Sequence, residues 1–550
     1  MLFAGSAICL TVIHPPFYFS HLAWIAFVPF ILACRTDIKK RKLAIAAYIV
    51  GAFYWLGNLY WVIPVTIWGW IAYCLYSAFL WPAMALSFQY ARRRGLPIAF
   101  AAAVIFVAAE RLQGFFLGGF FWKFLAHSQF QNIPLIQIAD IFGTAGLSFI
   151  IAYANGAIAT LMINAINRNL KSPRAWLSPA VAILLIAATL LYGHHRLRQT
   201  QKFVTQGPMT AAVQSNVPQS VKETRDQSEE MFDQMLSESE KAILAGAELV
   251  VWPETMVQAY LNPAVISLIG DQHQYSQFDK RLKEHAKDNA YLLIGATAAT
   301  PKVENDFTIT LTEKFNSAFL YTPQGKQWHK RYDKIHLVPF GEVVPFKKSA
   351  PWLYNLLMIF TPYDHDYSLD YGSELTVFQM PLNGRAYNFG VLICYEDTVP
   401  KLTRHYVVDK NGNKRVDWLV NISNDGWFVW FKGDKIIPTA ELPQHTALCV
   451  FRAVENRVAI LRSVNTGISC LIDSSGKIID GCAAGSLPQI ALKRQGMAGW
   501  IVDKMPIDSR VTFFSRFGQW LDTCCTILFI LTLIEALFGL FAKFLLKRGC

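Results

Sequence analysis

Apolar stretches alternate with short basic clusters along the first 200 residues, and the basic clusters cut the pattern into pieces. "LACRTDIKKRKLA" (32–44), "QYARRRGLP" (89–97) and "INRNLKSPRAW" (166–176) are such clusters. An apolar run of about 20 residues crosses a bilayer as a helix. The pattern predicts spans near 2–14, 17–34, 43–63, 66–89, 97–117, 141–165 and 175–193, and an eighth at 521–546. The three basic clusters are separated by two spans each time, so all fall on one side, the cytoplasmic one by the positive-inside rule. The stretch 205–510 then lies outside the cytoplasm. One cluster is discordant: "HHRLRQTQK" (194–202) falls on the outer side and reads as a surface patch facing anionic headgroups.

Between about 205 and 510 the period changes. "KETRDQSEEMFDQMLSESEKAILAG" (222–246) and "FDKRLKEHAKDNA" (278–290) read as amphipathic helices. "AELVVWPET", "YLLIGATAA", "NFGVLICYED" and "DWLVNISND" read as buried strands. "KFNSAFLYTPQGKQWHKRYDK" reads as two strands around a turn, "QHTALCVFRAVENR" as a helix, and "ISCLIDSSGKIID" as a closing hairpin. Strands alternating with helices imply an α/β layered domain. Three domains follow: a membrane bundle over 1–200, an extracytoplasmic α/β domain over 205–510, and a last span at 521–546.

Composition agrees with this division. Of 550 residues, 53% are hydrophobic and only 16% charged, where soluble domains average about a quarter charged. The net charge of +12 sits largely beside the spans, where Lys and Arg set orientation, so it calls for no nucleic acid. Ten cysteines include no paired CxxC at metal-finger spacing, which speaks against a metal. Cys449, Cys470 and Cys482 leave a disulfide open in an oxidising compartment.

Three ionisable residues follow apolar or rigid segments: Glu254 in "VVWPET", Lys334 in "YDKIHLVPFGE" and Cys394 in "LICYED". Singly, each has an ordinary reading, as helix cap, solvated charge and core thiol. Together they are the parts for thiol acyl transfer, which needs no cofactor: a nucleophile, a carboxylate to take its proton and an ammonium for the oxyanion. A thiolate beside Lys334 is also expected to form more readily than in a free cysteine.

These stretches resemble the Glu-Lys-Cys blocks of the nitrilase, or carbon–nitrogen hydrolase, superfamily. "NISNDGWF" (421–428) and "RAVENRVAILRSVNTGISCLID" (452–473) are similar to further blocks. "NIPLIQIADIFGTAGLSFIIAYANG" (132–156), "HLVPFGEVVPF" (336–346) and "FFSRFGQWLD" (513–522) are similar to its membrane-embedded branch, which acylates lipoproteins in bacterial inner membranes. The resemblance implies a multispan α-helical bundle of about eight spans joined to an αββα sandwich, with the catalytic domain on the periplasmic side. It implies a phospholipid acyl donor, with phosphatidylethanolamine expected, and diacylglyceryl apolipoproteins as acceptors. It makes Cys394 the nucleophile, Glu254 the base and Lys334 the oxyanion stabiliser, with Glu342, Tyr395, Glu396, Trp252 and Trp427 in support. A membrane-anchored amidase with the same triad, and a transporter or scaffold without catalysis, are the competing readings.

The chain departs from that branch twice. Glu223 stands where relatives carry a tryptophan, and 424–445 is longer than in relatives. The added residues read either as a membrane-dipping loop or as a plain surface insertion.

Overall fold

The computed structural model describes all residues except 36–37, 115–118, 218–224, 305–307, 348, 362–366, 434 and 549–550, and the backbone alone at 225–226 and 536–548. Glu223 therefore lies outside the described residues. The chain divides into two compact units. One comprises Met1–Ile63, Gly69–Arg198 and Phe517–Cys550, and the other Pro64–Trp68 and Gln199–Arg516.

The first unit is helical. Among the described residues, Ile67–Arg93, Thr144–Ile166 and Arg174–Phe203 are long and apolar enough to cross a membrane. Leu2–Val12, Lys40–Asn58, Ile98–Gln113 and Trp520–Arg548 are further helices at predicted positions. Helices Ile98–Gln113 and Thr144–Ile166 approach closely because position 156 has no side chain: a Cβ there would lie 2.5 Å from Ala99 Cα. Small residues at such a contact let backbones pack without a hydrophobic driving force.

The predicted span 17–34 is not one helix. It is a 3-10 turn, Ser20–Trp24, followed by the six-residue helix Val28–Ala33. Polar side chains within the unit satisfy the backbone that the break frees. Asn155 Oδ1 accepts from Phe27 N and its Nδ2 donates to Ala23 O, both at 2.8 Å; Ser6 Oγ accepts from Phe30 N at 2.8 Å. Irregular backbone in apolar surroundings survives only on such terms. The predicted span 175–193 instead continues as one helix to Phe203, so the basic stretch 194–202 is helical. Arg196 pairs with buried Asp140 at 2.8 Å, and Tyr192 donates to the same carboxylate at 2.7 Å.

The second unit is a layered α/β domain. Among the described residues its larger sheet has nine strands, in which Leu249–Val251 runs parallel between Val204–Gln214 and Tyr291–Val303. In the five-stranded sheet Arg385–Ile393, Trp418–Asn424 and Ala459–Asn465 run parallel and wholly or largely buried, as continuous apolar strands should. The sheets meet where the Ser463 hydroxyl lies within donating distance of Val213 O and Val251 O, at 2.8 and 2.9 Å. Phe232 and Met235 of helix Arg225–Leu244 and Phe278 and Leu282 of helix Gln274–Ala286 pack on the larger sheet with Val250, Leu292 and Ile294. Helices Pro400–Val407 and Glu441–Asn456 belong to the smaller sheet, which completes an αββα sandwich.

The closing hairpin is present: strand Cys470–Ile472 turns at Gly476, Ile472 bridges Ile478, and Ile479 N donates to Leu471 O at 2.8 Å. Cys449, Cys470 and Cys482 are buried free thiols. The insertion carries two short antiparallel strands, Trp430–Lys432 and Lys435–Ile437, with Trp430, Phe431 and Ile437 exposed.

Candidate active site

Strand ends gather the candidate residues, as expected of parallel sheets, whose ligands sit at the carboxyl ends of strands. Glu254 lies three residues past strand Leu249–Val251, on a turn where Thr255 has φ +51°. The turn packs on Gly295 of strand Tyr291–Val303, where a Cβ would lie 2.4 Å from Pro253 O. Lys334 follows the two-residue strand Tyr332–Asp333, and its backbone N–H donates to Asn316 O at 2.8 Å.

Lys334 and Glu254 are buried and meet. Lys334 Nζ is 3.2 Å from Glu254 Oε1 and 2.8 Å from Glu342, whose Oε2 also accepts from Val338 N at 2.8 Å. Asn316 Nδ2 donates to both carboxylates, at 2.7 Å to Glu254 and 3.0 Å to Glu342. Burial works to discharge Lys334, but the charges of Glu254 and Glu342 outweigh it and hold the ammonium well above its usual range. Asn316 was invisible in sequence, a single amide inside an apolar strand.

Cys394 terminates strand Arg385–Ile393 and opens the 3-10 turn Cys394–Thr398. Its φ of +53° is left-handed, a strained conformation for a side chain with a Cβ, of the kind that collects at functional sites. Asn421 Nδ2 donates to the carbonyls of Leu392 and Cys394, at 3.2 Å each, and so fixes the turn from the neighbouring strand. The expectation of an easily formed thiolate is reversed. Burial pushes the thiol well up, and the Glu254 charge adds to that, against the opposing charges of Lys334 and His445. A resting thiol of this kind reacts only if a base removes its proton during attack.

Glu396 ties the cysteine turn to the lysine loop. Its carboxylate accepts from Ile393 N at 2.8 Å, Ile335 N at 2.7 Å, His336 N at 2.9 Å and Tyr332 Oη at 2.9 Å. Burial pushes its carboxyl up to about 7 despite these donors. Tyr395 is half-buried and its ring stacks on His336, with centroids 5.9 Å apart. Trp427 is half-buried on the turn Asp425–Phe428, which follows the strand parallel to that of Cys394. Trp252 stands apart from this group. It is fully buried among core residues, donates from Nε1 to Ser239 Oγ at 2.5 Å and meets Phe232 edge-on. Its place is structural, and its neighbour in sequence, Glu254, is the one that reaches the site.

Residues 6–157 match the model of the apolipoprotein N-acyltransferase N-terminal domain, and residues 209–500 that of carbon–nitrogen hydrolase. An apolipoprotein N-acyltransferase of Geobacter metallireducens is 35% identical over 494 residues, covering 86% of this chain and 85% of its own. That of Haemophilus ducreyi is 27% identical over 529 residues, covering 93% and 90%. The chain belongs to the apolipoprotein N-acyltransferase family. Its αββα unit is the carbon–nitrogen hydrolase domain of that family, and its helical unit contains the matched N-terminal domain. For a member of this family, the buried Glu254–Lys334–Glu342 group near a strained cysteine offers the groups an acyl transfer needs.

Proposed function

We propose that the protein N-acylates the N-terminal S-diacylglyceryl-cysteine of bacterial apolipoproteins, taking the acyl chain from a phospholipid such as phosphatidylethanolamine. In this reading Cys394 Sγ attacks the ester carbonyl carbon while Glu254 takes the thiol proton. Lys334 Nζ faces the oxyanion of the tetrahedral intermediate. Collapse breaks the ester C–O bond, and the lysophospholipid alkoxide leaves with the proton from Glu254. The lipoprotein amine then attacks the thioester, Glu254 takes its proton, and the Cys394 sulfur leaves and is reprotonated. One site serves both halves, so the kinetics are ping-pong. Glu342 and Asn316 keep Lys334 and Glu254 in register through both halves, and Glu396 holds the cysteine turn to the lysine loop.

Both substrates are lipids, which accounts for an enzyme carrying so much apolar sequence. The placement that fits is a multi-pass protein of the inner membrane with eight spans, its basic loops cytoplasmic and its hydrolase domain periplasmic. The observation that carries the reading is the meeting of Glu254, Lys334 and Glu342, whose first two charges act on the left-handed Cys394. Full-length protein incubated with acyl-labelled phosphatidylethanolamine is expected to trap a hydroxylamine-sensitive acyl group, and Cys394→Ser to trap none. Equal labelling of both proteins would sink the assignment, and hydrolysis of small amides with no acylation of a diacylglyceryl peptide would leave an amidase instead.

A further inference from the structure

A second set of buried ionisable side chains lies outside the acyl-transfer steps. His445, on helix Glu441–Asn456, has Nε2 2.8 Å from Asp397 Oδ1. Its Nδ1 lies 3.3 Å from Asp425 Oδ1 and 3.3 Å from Glu441 Oε1. Arg462, on strand Ala459–Asn465, donates from Nη1 to Asp397 Oδ2, and its Nη2 is 3.8 Å from Asp425 Oδ2. Ser423 Oγ donates to Asp425 Oδ1 at 2.8 Å. All of these residues are buried.

Their positions in the chain give the cluster its meaning. Asp397 sits on the turn Cys394–Thr398, three residues past the cysteine, and Asp425 opens the turn that carries Trp427. Both nitrogens of His445 face carboxylate oxygens. A neutral imidazole has one N–H and one lone pair, so one carboxylate would meet a lone pair; an imidazolium donates to both sides. The charges then balance: two aspartates against Arg462 and His445, with Glu441 pushed up to about 7 by burial and by Asp425. Burial alone would discharge His445, but Asp397 and Asp425 hold it well above its ordinary range. The groups facing the cluster are Asp397 and Cys394 from one turn, Asp425 from the other, Glu441 and Cys449 on its own helix, and Arg462 and Cys470 from the sheet.

We propose that His445, as an imidazolium clamped between Asp397 and Asp425, is a positioning residue that fixes the Cys394 turn against the Trp427 turn and adds to Lys334 a second positive charge favouring the cysteine thiolate. This rests on Cys394 as the nucleophile. The charge moves the thiol in the stated sense, since His445 lowers and Asp425 raises its proton affinity.

The test uses full-length protein in detergent micelles and two substitutions, His445→Gln and Asp425→Asn. The rate of Cys394 alkylation by iodoacetamide at pH 8, read by peptide mass spectrometry, follows the thiolate fraction. Loss of the imidazolium is expected to slow alkylation about tenfold, the equivalent of one pH unit, and loss of the Asp425 charge to speed it. Transfer from labelled phosphatidylethanolamine to a diacylglyceryl peptide is expected to lose kcat in His445→Gln with KM little changed. A merely structural cluster would loosen in both variants and speed alkylation in both, which overturns the proposal. So does a wild-type rate that EDTA slows as much as His445→Gln does, because a cation would then occupy the cluster. If His445→Gln does not fold, His445→Lys, which keeps a cation at this position, decides: an alkylation rate near that of wild type supports the proposal, and a faster one overturns it. A wild-type Cys394 that neither alkylates nor takes an acyl group removes the nucleophile and the proposal with it; an acylated wild type with unaltered variants removes the proposal alone.

Discussion

Lys334→Met isolates the electrostatics of the buried centre. The ammonium lies 3.2 Å from one carboxylate and 2.8 Å from another, both of which also share the Asn316 amide. Each pair is worth about 5 kcal/mol of attraction at an effective dielectric of 20, before desolvation is charged against it. Removing the cation leaves two carboxylates around one amide, and breaking a buried pair from one side costs about 3–5 kcal/mol. On a unit of this size that is roughly 6–15 °C in Tm. Glu342→Gln should lower Tm in the wild type yet raise it in Lys334→Met, since it removes the repulsion between the two carboxylates. The assay is thermal unfolding of the full chain in detergent, completed as a double-mutant cycle. Glu342→Gln destabilising in both backgrounds would refute the reasoning.

Gly295→Ala places a Cβ 2.4 Å from Pro253 O and 2.8 Å from Glu254 Cα, both backbone atoms that cannot swing aside. The expected outcome is a fall in acyl-transfer rate of about tenfold or more, because a shift of about 1 Å in a catalytic group can cost 100-fold. A wild-type rate would show that the Glu254 turn tolerates displacement. Glu396→Gln puts an amide N–H where a carboxylate accepts four donors, and should lower Tm by several degrees. The wild-type carboxyl titrates near 7, above its unfolded value, so its contribution to stability is lost as pH rises through 7. The variant should show a flatter Tm profile between pH 6 and 8, though not a level one, since Glu441 titrates in the same window.

The sequence was most readable where one residue does one job at the end of a strand. Glu254, Lys334 and Cys394 each follow a short rigid segment, and that shared pattern, with the family resemblance, marked them as candidates where each alone had an ordinary reading. Asn316, Asn421 and His445 act across distances of 27 to 62 residues in the chain, and nothing local marks a polar residue inside an apolar strand or helix as a partner. Trp252 misled for the reverse reason: it stands two residues before Glu254, but strand Leu249–Val251 ends ahead of it and the chain turns between the two, so its ring stays in the core. The ready thiolate failed because desolvation, which no motif encodes, outweighs the nearby ammonium. In the helical unit, hydropathy located apolar mass correctly but could not register that Asn155 would satisfy a broken backbone, or that Asp140 would carry a helix past its basic end.

The strand pair Val204–Gln214 and Gly499–Asp508 has a consequence for how the protein can be taken apart. It is antiparallel, and its first rung joins Val204 to Asp508, the two places where the chain enters and leaves the sandwich. The hydrolase domain is thus a closed loop inserted at one point of the polypeptide, with its two ends held together by its own hydrogen bonds. Scissors placed just outside that rung would release a module whose ends already meet. A cut a few residues inside it would strip a strand from the larger sheet.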